Sequence, residues 1–172
     1  AIFRQSYAAV GEQFPALYVK DYARDSQGRV IVNGTTGHPT PATELTHLGT
    51  MVPPYMMGLN SLFTYKNLSL GMLFDCRLGG WMYSEVANRM IQNGTHPMTT
   101  EYNRQPFVFP NSVIETAPGV FEPNTSVFAQ GSGNATFWTD HVAEYHINFA
   151  APGDYLKLRE LNLNYNLPQT LL

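Results

Sequence analysis

The sequence predicts an all-β protein whose antiparallel strands form part of a large transmembrane β-barrel, with long extracellular loops and one short helix. Three observations lead to this fold class: long stretches of alternating apolar and polar residues, an unusual composition, and connections of very unequal length. Charged residues make up only 13 % of the chain, about half of the usual ~25 %. Aromatic residues also reach 13 %, and such a composition favours strands joined by loops.

The stretch from Leu68 to Gly80 alternates most regularly. Side chains of a strand point alternately to opposite faces, so one wall of this strand is apolar and the other mostly polar. The apolar wall holds Leu68, Leu70, Met72, Phe74, Cys76 and Leu78, and the opposite wall holds Ser69, Gly71, Leu73, Asp75, Arg77 and Gly79. A globular strand usually has about 5–6 residues, whereas a tilted strand that crosses a bilayer needs roughly 9–11. The pattern therefore favours a barrel strand.

Two more long strands are predicted, at 55–66 and 155–167. The apolar phases of these strands hold Met57, Leu59, Phe63, Tyr65, Leu161, Leu163, Tyr165 and Leu167. A tight turn at Lys66-Asn67 joins the strand at 55–66 to the central strand in a hairpin. The other ends of the strands are joined by very long segments. Outer-membrane barrels show this asymmetry, with short periplasmic turns and long external loops.

The remaining segments give weaker signals. Short strands are predicted at 16–22 and 29–33 with a turn at 26–28 between them, and a proline-rich loop on a polar surface at 34–54. A short helix at 82–92 follows from the spacing of Met82, Val86 and Met90, and Gly94 ends it. The polar region 95–153 is expected to be an ordered, aromatic-rich loop with short strands at 107–109 and 127–129. Cys76, the single cysteine, is expected to be a small buried hydrophobe.

Three segments together resemble a known family of membrane proteins. They are VGEQFPALYVKDYARDSQGRVIVNGTTGHP at 10–39, LGTMVPPYMMGLNSLFTYKNLSLGMLFDCRLGGWMYS at 48–84 and YLKLRELNLNYNLP at 155–168. The chain resembles the C-terminal barrel region of the SusC/RagA-like TonB-dependent outer-membrane transporters. In that family a glycine-rich segment precedes a hairpin of the second kind, and a strand reading LKLRELSLSYNLP follows. The hairpin and the terminal strand together carry the resemblance.

The resemblance implies a function for the protein. Residues 1–172 would be a partial C-terminal barrel without the plug domain, and residues 81–154 its long extracellular loop region. The whole protein would lie in the bacterial outer membrane, surrounded by its lipid, and import large nutrients, either oligosaccharides or peptides. It would work with a SusD-like surface lipoprotein and with the TonB complex, which acts through the plug. The resemblance implies no cofactor and no chemistry on the substrate.

The strands predicted here are too few to close a barrel. Transporters of this kind close around about 22 strands with a plugged lumen. Unpaired backbone groups at an open edge in lipid cost several kcal/mol each. We therefore expect the chain to be a portion of a longer polypeptide, with completion of the sheet by another chain as the alternative.

Candidate binding residues lie on the polar walls and beside the loops. Asp75 and Arg77 either bind sugar hydroxyls or pair with neighbours across the lumen wall. Amides of Asn60, Asn162 and Asn164 offer donors and acceptors to a polar lumen or fill it against a plug. The aromatic candidates either stack on sugar rings or anchor a partner, or they pack within the loops; these residues are Trp81, Tyr83, Trp138 and Tyr145.

Other function classes find little support in the sequence. A net charge of −3 with only 10 Lys and Arg residues gives no basic footprint for nucleic acid. The five histidines are scattered, and the spacing of His141 and His146 suits no metal motif, so no metal site is expected. No nucleophile elbow or phosphate loop is present, and no catalytic residue is predicted.

Two alternatives remain open at the level of sequence. The first is a soluble β-sandwich module that binds carbohydrate, since the same alternation marks one buried and one wet face. The second is a barrel of the same family that serves as a scaffold in an envelope complex without transport. Solubility without detergent distinguishes the first from a membrane barrel, and loss of uptake on deletion distinguishes the importer from the second.

Overall fold

The computed structural model describes residues 6–128 and 134–168. The fold is mostly β, with 45 % strand and 19 % helix, and its small sheets are mostly antiparallel and none closes into a barrel. The strands are β1 (Ser6–Tyr7), β2 (Ala16–Val19), β3 (Val30–Val32), β4 (Thr46–Thr50), β5 (Tyr55–Tyr65), β6 (Leu68–Leu78), β7 (Trp81–Tyr83), β8 (Phe107–Val108), β9 (Ser112–Ala117), β10 (Val120–Pro123), β11 (Val127–Phe128), β12 (Ala150–Pro152) and β13 (Tyr155–Tyr165). The helical segments are α1 (Glu85–Gln92), three 3-10 segments (Pro97–Arg104, Val142–Glu144 and His146–Phe149) and a π-helical turn (Phe137–His141).

Strands β5, β6 and β13 form one antiparallel sheet, here called the long sheet, with β6 in the centre. The hairpin runs in unbroken register from Tyr55 opposite Leu78 to Tyr65 opposite Leu68. Lys66 takes a positive φ of 52° in the turn between β5 and β6. The three predicted long strands, the hairpin and its tight turn are thus confirmed, with β13 ending at Tyr165 rather than at 167.

A bulge in β13 keeps its leucines on one face of the long sheet. Leu158 pairs with Phe74, and the next paired residue is Glu160, opposite Leu73. Arg159 is therefore an extra residue in the strand, and the apolar phase moves from even to odd positions across it. One face of the sheet, here called the apolar face, consequently carries Tyr55, Met57, Leu59, Phe63, Tyr65, Leu68, Leu70, Met72, Phe74, Cys76, Leu78, Leu156, Leu158, Leu161, Leu163 and Tyr165.

The rest of the described chain, residues 6–54, 79–128 and 134–154, is here called the module, and it buries two clusters of its own. The larger cluster consists of Ile91, Phe107, Phe137, Trp138, Val142, Ala143 and Phe149. The smaller consists of Tyr22, Val30, Val32 and Tyr145, and Phe109 packs against both clusters. The aromatic-rich region after Thr95 is ordered, as predicted, because its rings pack on each other and on residues near the N-terminal end of the chain.

The small sheets of the module depart in part from the sequence prediction. Strand β3 pairs in parallel with β9, while β2 pairs with β1 and β4, so the two strands at 16–33 belong to different sheets. The segment 34–54 is not only a surface loop, because it contains β4 and buries Gly37 and Pro39. The hairpin of β9 and β10 was not predicted. Strands β8 and β11 form where predicted and pair with each other, although residue 129 lies outside the described residues.

The helix α1 is shorter than predicted and faces the core differently. Ser84 caps its N-terminus by accepting a hydrogen bond from the Ala87 N–H, and Met82 belongs to β7 instead. The residues whose spacing predicts the helix are not the ones that it buries: Val86 is 71 % exposed, and the residues that α1 buries are Asn88 and Ile91. No helix in the described part of the chain has the length and apolarity that crossing a membrane requires.

The long sheet and the module meet at a junction of glycines and prolines. Gly79 donates its N–H to Oδ1 of Asp154 at 2.6 Å, and Gly153 donates to the Gly80 carbonyl at 2.7 Å. Gly80 has a φ of +85°, and a Cβ there would lie 3.1 Å from the Pro53 nitrogen. The loop ends of β5, β6 and β13 are thereby held together at this junction, opposite the tight turn.

Candidate functional site

The face of the long sheet opposite the apolar face, here called the polar face, brings together most of the predicted lumen residues. The register places Asn60 of β5 opposite Leu73 of β6, and Asn162 of β13 opposite Gly71. A groove of about 240 Å³ on this face is lined by Asn60, Leu62, Gly71, Leu73, Glu160, Asn162 and Asn164. Three of the predicted binding residues, on two different strands, thus line one groove.

The groove exists because a glycine lies at its base and longer side chains lie on both sides of that glycine. Gly71 lies between Asn162 and Leu62, and a Cβ on Gly71 would already touch both side chains, at 3.6 and 3.8 Å. The side-chain amides of Asn162 and Asn164 are exposed, and Asn162 donates a hydrogen bond to Glu160. Amide and carboxylate groups beside an apolar leucine suit a ligand that presents hydroxyls or peptide groups on one side and carbon on the other.

Asp75 forms the centre of a charged network at the loop end of this face. Its Oδ2 accepts hydrogen bonds from Nε and Nη2 of Arg159, at 2.9 and 2.6 Å, and from the Tyr155 hydroxyl at 3.0 Å. Lys157 lies on β13 together with Tyr155, and its Nζ is 4.4 Å from the centroid of the Tyr155 ring. Of the two roles considered for Asp75, ion pairing within the wall is the one present here, and its partner is Arg159.

Arg77 is not the partner of Asp75. Its Nη2 donates to the Met51 carbonyl at 3.4 Å, which directs the guanidinium toward the junction. Within residues 6–128 and 134–168, its buried Nε has no hydrogen-bond partner. Within the described residues Arg77 takes part in no ion pair, and it lies at the loop end of the polar face, two residues from a carboxylate that pairs with Arg159.

Two of the four aromatic candidates are buried. Trp138 is 4 % and Tyr145 is 3 % exposed. Tyr145 stacks on Tyr22 at 4.0 Å between ring centroids, and its hydroxyl donates to the Pro39 carbonyl at 2.7 Å. Burial raises the pKa of Tyr22 to about 12 and also raises the pKa of Tyr145. Of the roles considered for Trp138 and Tyr145, packing is the one present in this structure, because both rings belong to the module's buried clusters.

Trp81 and Tyr83 lie in β7, beside the junction, and both are half-buried. The Trp81 ring packs over Gly49, where a Cβ would come within 3.3 Å of it. Tyr83 packs against the larger cluster, with its ring 6.3 Å from that of Phe149. These two residues mainly fill space between the strand β7 and its neighbours, and their ligand-stacking role stays a prediction.

Several groups of the site escaped the sequence prediction. Strict alternation backward from Leu161 would place Arg159 on the apolar face, and only the bulge brings it to Asp75. Glu160 and Leu73 are also part of the groove. The signal for the bulge is the segment LKLRELNL at 156–163, in which the leucine pair 156/158 is out of phase with the pair 161/163.

Cys76 lies on the apolar face and is half-buried, so the expectation of a buried side chain is wrong for this sheet. In the described part of the chain, no three His, Cys, Asp or Glu side chains are grouped so that they could hold a metal ion. No protein-family model and no curated protein matches the chain, so the account of function rests on the geometry of the two faces and on the sequence resemblance.

Proposed function

We propose that the chain forms part of the wall of an outer-membrane, TonB-dependent importer of the SusC/RagA type. The whole protein takes up oligosaccharides or peptides, with a SusD-like surface lipoprotein as its partner outside and the TonB complex as its energy source inside. The observation that carries this proposal is the apolar face of the long sheet. The polar face would line the lumen, and the module would lie outside the membrane, where it meets ligand or lipoprotein.

The apolar face supports contact with lipid because most of its large side chains remain exposed in the described part of the chain. The large ones on the two outer strands and at the ends of β6 are between 41 and 71 % exposed. In the described residues, no other element packs extensively on this sheet. Monomeric soluble proteins rarely leave an apolar face of this extent open.

The dimensions of the long sheet support a membrane-spanning role. Each of its strands has 11 residues, which at about 3.3 Å per residue gives about 36 Å. A tilt of about 45° reduces this length to about 25 Å, the height of the apolar band of outer-membrane barrels. The tight turn at one end and the module at the other fit the periplasmic and external sides.

The free edges of β5 and β13 support further strands on both sides. Each of these strands is paired on one side only in the described chain. Backbone groups left unpaired in hydrocarbon cost several kcal/mol each, so we infer that the sheet continues in both directions. Whether the added strands belong to the same polypeptide or to another, their number would be that of a large barrel.

The two alternatives predict different behaviour. A soluble carbohydrate-binding sandwich needs a second sheet over the apolar face, and the described residues supply none. A scaffold barrel without transport has the same sheet as an importer, and only its physiology differs.

The test is the intact mass of the polypeptide that carries these residues in its source organism, measured after detergent extraction of outer membranes. The proposal predicts a species several times heavier than 19.2 kDa, found in the membrane fraction. A soluble species of 19.2 kDa would contradict it and favour the sandwich. If the heavy species is present and its deletion leaves uptake of glycans and peptides unchanged, the scaffold is the better account.

A further inference from the structure

A second cavity lies within the module, away from the long sheet. It has a volume of about 180 Å³, and its lining comprises Gly94, Thr99, Arg104, Asn134, Ala135, Trp138 and Thr139. Ligand sites for drug-sized molecules usually have about 300–1,000 Å³. The cavity is therefore limited to a small molecule, such as one sugar ring or one amino acid.

Two buried polar atoms of the cavity walls lack partners in the described chain. Asn134 is 1 % exposed and its Oδ1 accepts no hydrogen bond from residues 6–128 or 134–168. Trp138 is 4 % exposed, and its Nε1–H has no acceptor there either. A buried polar group without a partner costs about 1–3 kcal/mol, so native structures rarely keep such groups unless a ligand or water binds them.

The rest of Asn134 is fixed, so its free oxygen is held in place. Its Nδ2 donates to the Glu101 carbonyl at 3.1 Å, and its backbone N–H donates to the Arg104 carbonyl at 3.3 Å. The amide is thereby oriented by its own donor, and the acceptor that remains is Oδ1.

Arg104 adds a positive charge to the cavity wall. Its side chain is exposed and makes no ion pair with any residue that the structure describes. Tyr102, Asn103 and Arg104 have φ values of 54°, 52° and 60°, three consecutive left-handed residues that are not glycine. Backbone strain of this kind persists where the surroundings impose it, and it is often found at ligand sites.

We propose that this cavity binds a small carboxylate that carries a hydroxyl or ammonium group beside its charge. The carboxylate would accept hydrogen bonds from Arg104 and from the Trp138 Nε1–H, and the neighbouring group would donate to Asn134 Oδ1. A free sugar acid and an amino acid share this chemistry. The site belongs to the module, so it stands whether or not the long sheet contacts lipid.

Calorimetry of the whole protein in detergent micelles, with empty micelles as a blank, tests the proposal with four probes. D-glucuronate and L-serine carry both groups, whereas D-glucose lacks the charge and acetate lacks the donor. We expect one or both of the first two to bind at least about tenfold more tightly than glucose and acetate, since a hydrogen bond to a charged group is worth about that factor. Preference for glucuronate indicates a sugar acid, and preference for serine an amino acid.

Variants then locate the binding site. Arg104→Gln, an exposed change, should weaken the preferred probe about tenfold, and Trp138→Phe should weaken it while keeping an aromatic ring in the core. The matched control Arg24→Gln, an exposed arginine outside the cavity, should leave affinity unchanged. Equal binding of all four probes, no binding by any of them, or full affinity in Arg104→Gln would overturn the proposal.

Discussion

Asp75 and Arg159 form an ion pair across β6 and β13 of the long sheet, with 2.6 Å between Oδ2 and Nη2. The contact depends on the bulge, because only an extra residue in β13 allows Arg159 to reach the polar face. The same bulge keeps Leu156 and Leu158 on the apolar face together with Leu161. One irregular residue thus maintains the separation of the two faces.

Deletion of Arg159 tests the role of the bulge. Without this residue the strand reads LKLELNL, in which leucines alternate strictly, so all of them stay on the apolar face. We expect the sheet to assemble with lower stability, because Asp75 loses its partner. Heat-modifiable mobility in SDS gels, which reports folded barrels, is the measurement for the whole protein.

Deletion of Met72 from β6 is the control for that experiment. This deletion shifts every later residue of β6 by one position, so the residues from Leu73 to Leu78 exchange faces of the sheet. We expect no assembly of this variant. If both deletions assemble equally well, the division into two faces does not determine the sheet.

The junction glycines offer a prediction about stability. Gly80→Ala combines a left-handed backbone with a Cβ 3.1 Å from the Pro53 nitrogen, so we expect the free energy of unfolding to fall by about 2–3 kcal/mol. Gly94→Ala is the matched control, since its φ of +67° is also left-handed but nothing lies within 4 Å of the new Cβ. This change should cost only about 1 kcal/mol. Denaturant titration followed by tryptophan fluorescence measures both, and equal losses would show that the contact with Pro53 is unimportant.

The module should lose stability in mild acid because of two histidines in contact. The rings of His38 and His141 lie 3.8 Å apart between centroids. Burial lowers the pKa of both, the charge of His141 lowers the pKa of His38 further, and Asp140 and Glu144 partly offset the effect at His141. The folded module therefore binds fewer protons than the unfolded chain, whose histidines titrate near about 6.5.

The sign of the pH dependence follows from that difference. The free energy of unfolding has its full value above about pH 6.5, the pKa of the histidines in the unfolded chain, and decreases as the pH falls below that value. Denaturant titrations between about pH 7.5 and pH 5.5 should show this loss in the unmodified chain. The free energy of unfolding should depend less steeply on pH in His38→Gln. An unchanged pH dependence in that variant would assign the acid sensitivity to other groups.

Local patterns were enough to predict the long sheet but not the module. Alternation over β5 and β6 fixed both strands, their turn and the side of Asn60, Asp75 and Arg77, because those properties depend on neighbours in sequence. The burial of Tyr145 depends on residues more than a hundred positions away, such as Pro39, whose carbonyl accepts the Tyr145 hydroxyl, and the cluster that buries Trp138 reaches back to Ile91. Contacts between residues so far apart in the sequence produce no local pattern from which they could be predicted.

Three features of the structure that the prediction lacks do have a signal in the sequence. The dipeptide Pro118-Gly119 between VIETA and VFEP is a hairpin signal, and it does join β9 to β10. Ser84 followed by Glu85 is a helix start that would have moved α1 past β7. The bulge at Arg159 also has a signal, since strict alternation cannot place both leucine pairs of LKLRELNL on one face.

The central claim is that the apolar face of the long sheet contacts lipid, and adjacent nitroxide labels test it most directly. In a Cys76→Ser background, Leu161→Cys and Asn162→Cys place a label on each face of β13, one residue apart. In the whole protein reconstituted in bilayers, oxygen should relax the label at 161 far more than a water-soluble nickel complex does. At 162 the nickel complex should have the larger effect. If the nickel complex relaxes both labels equally, the apolar face is not in lipid and the barrel account is wrong.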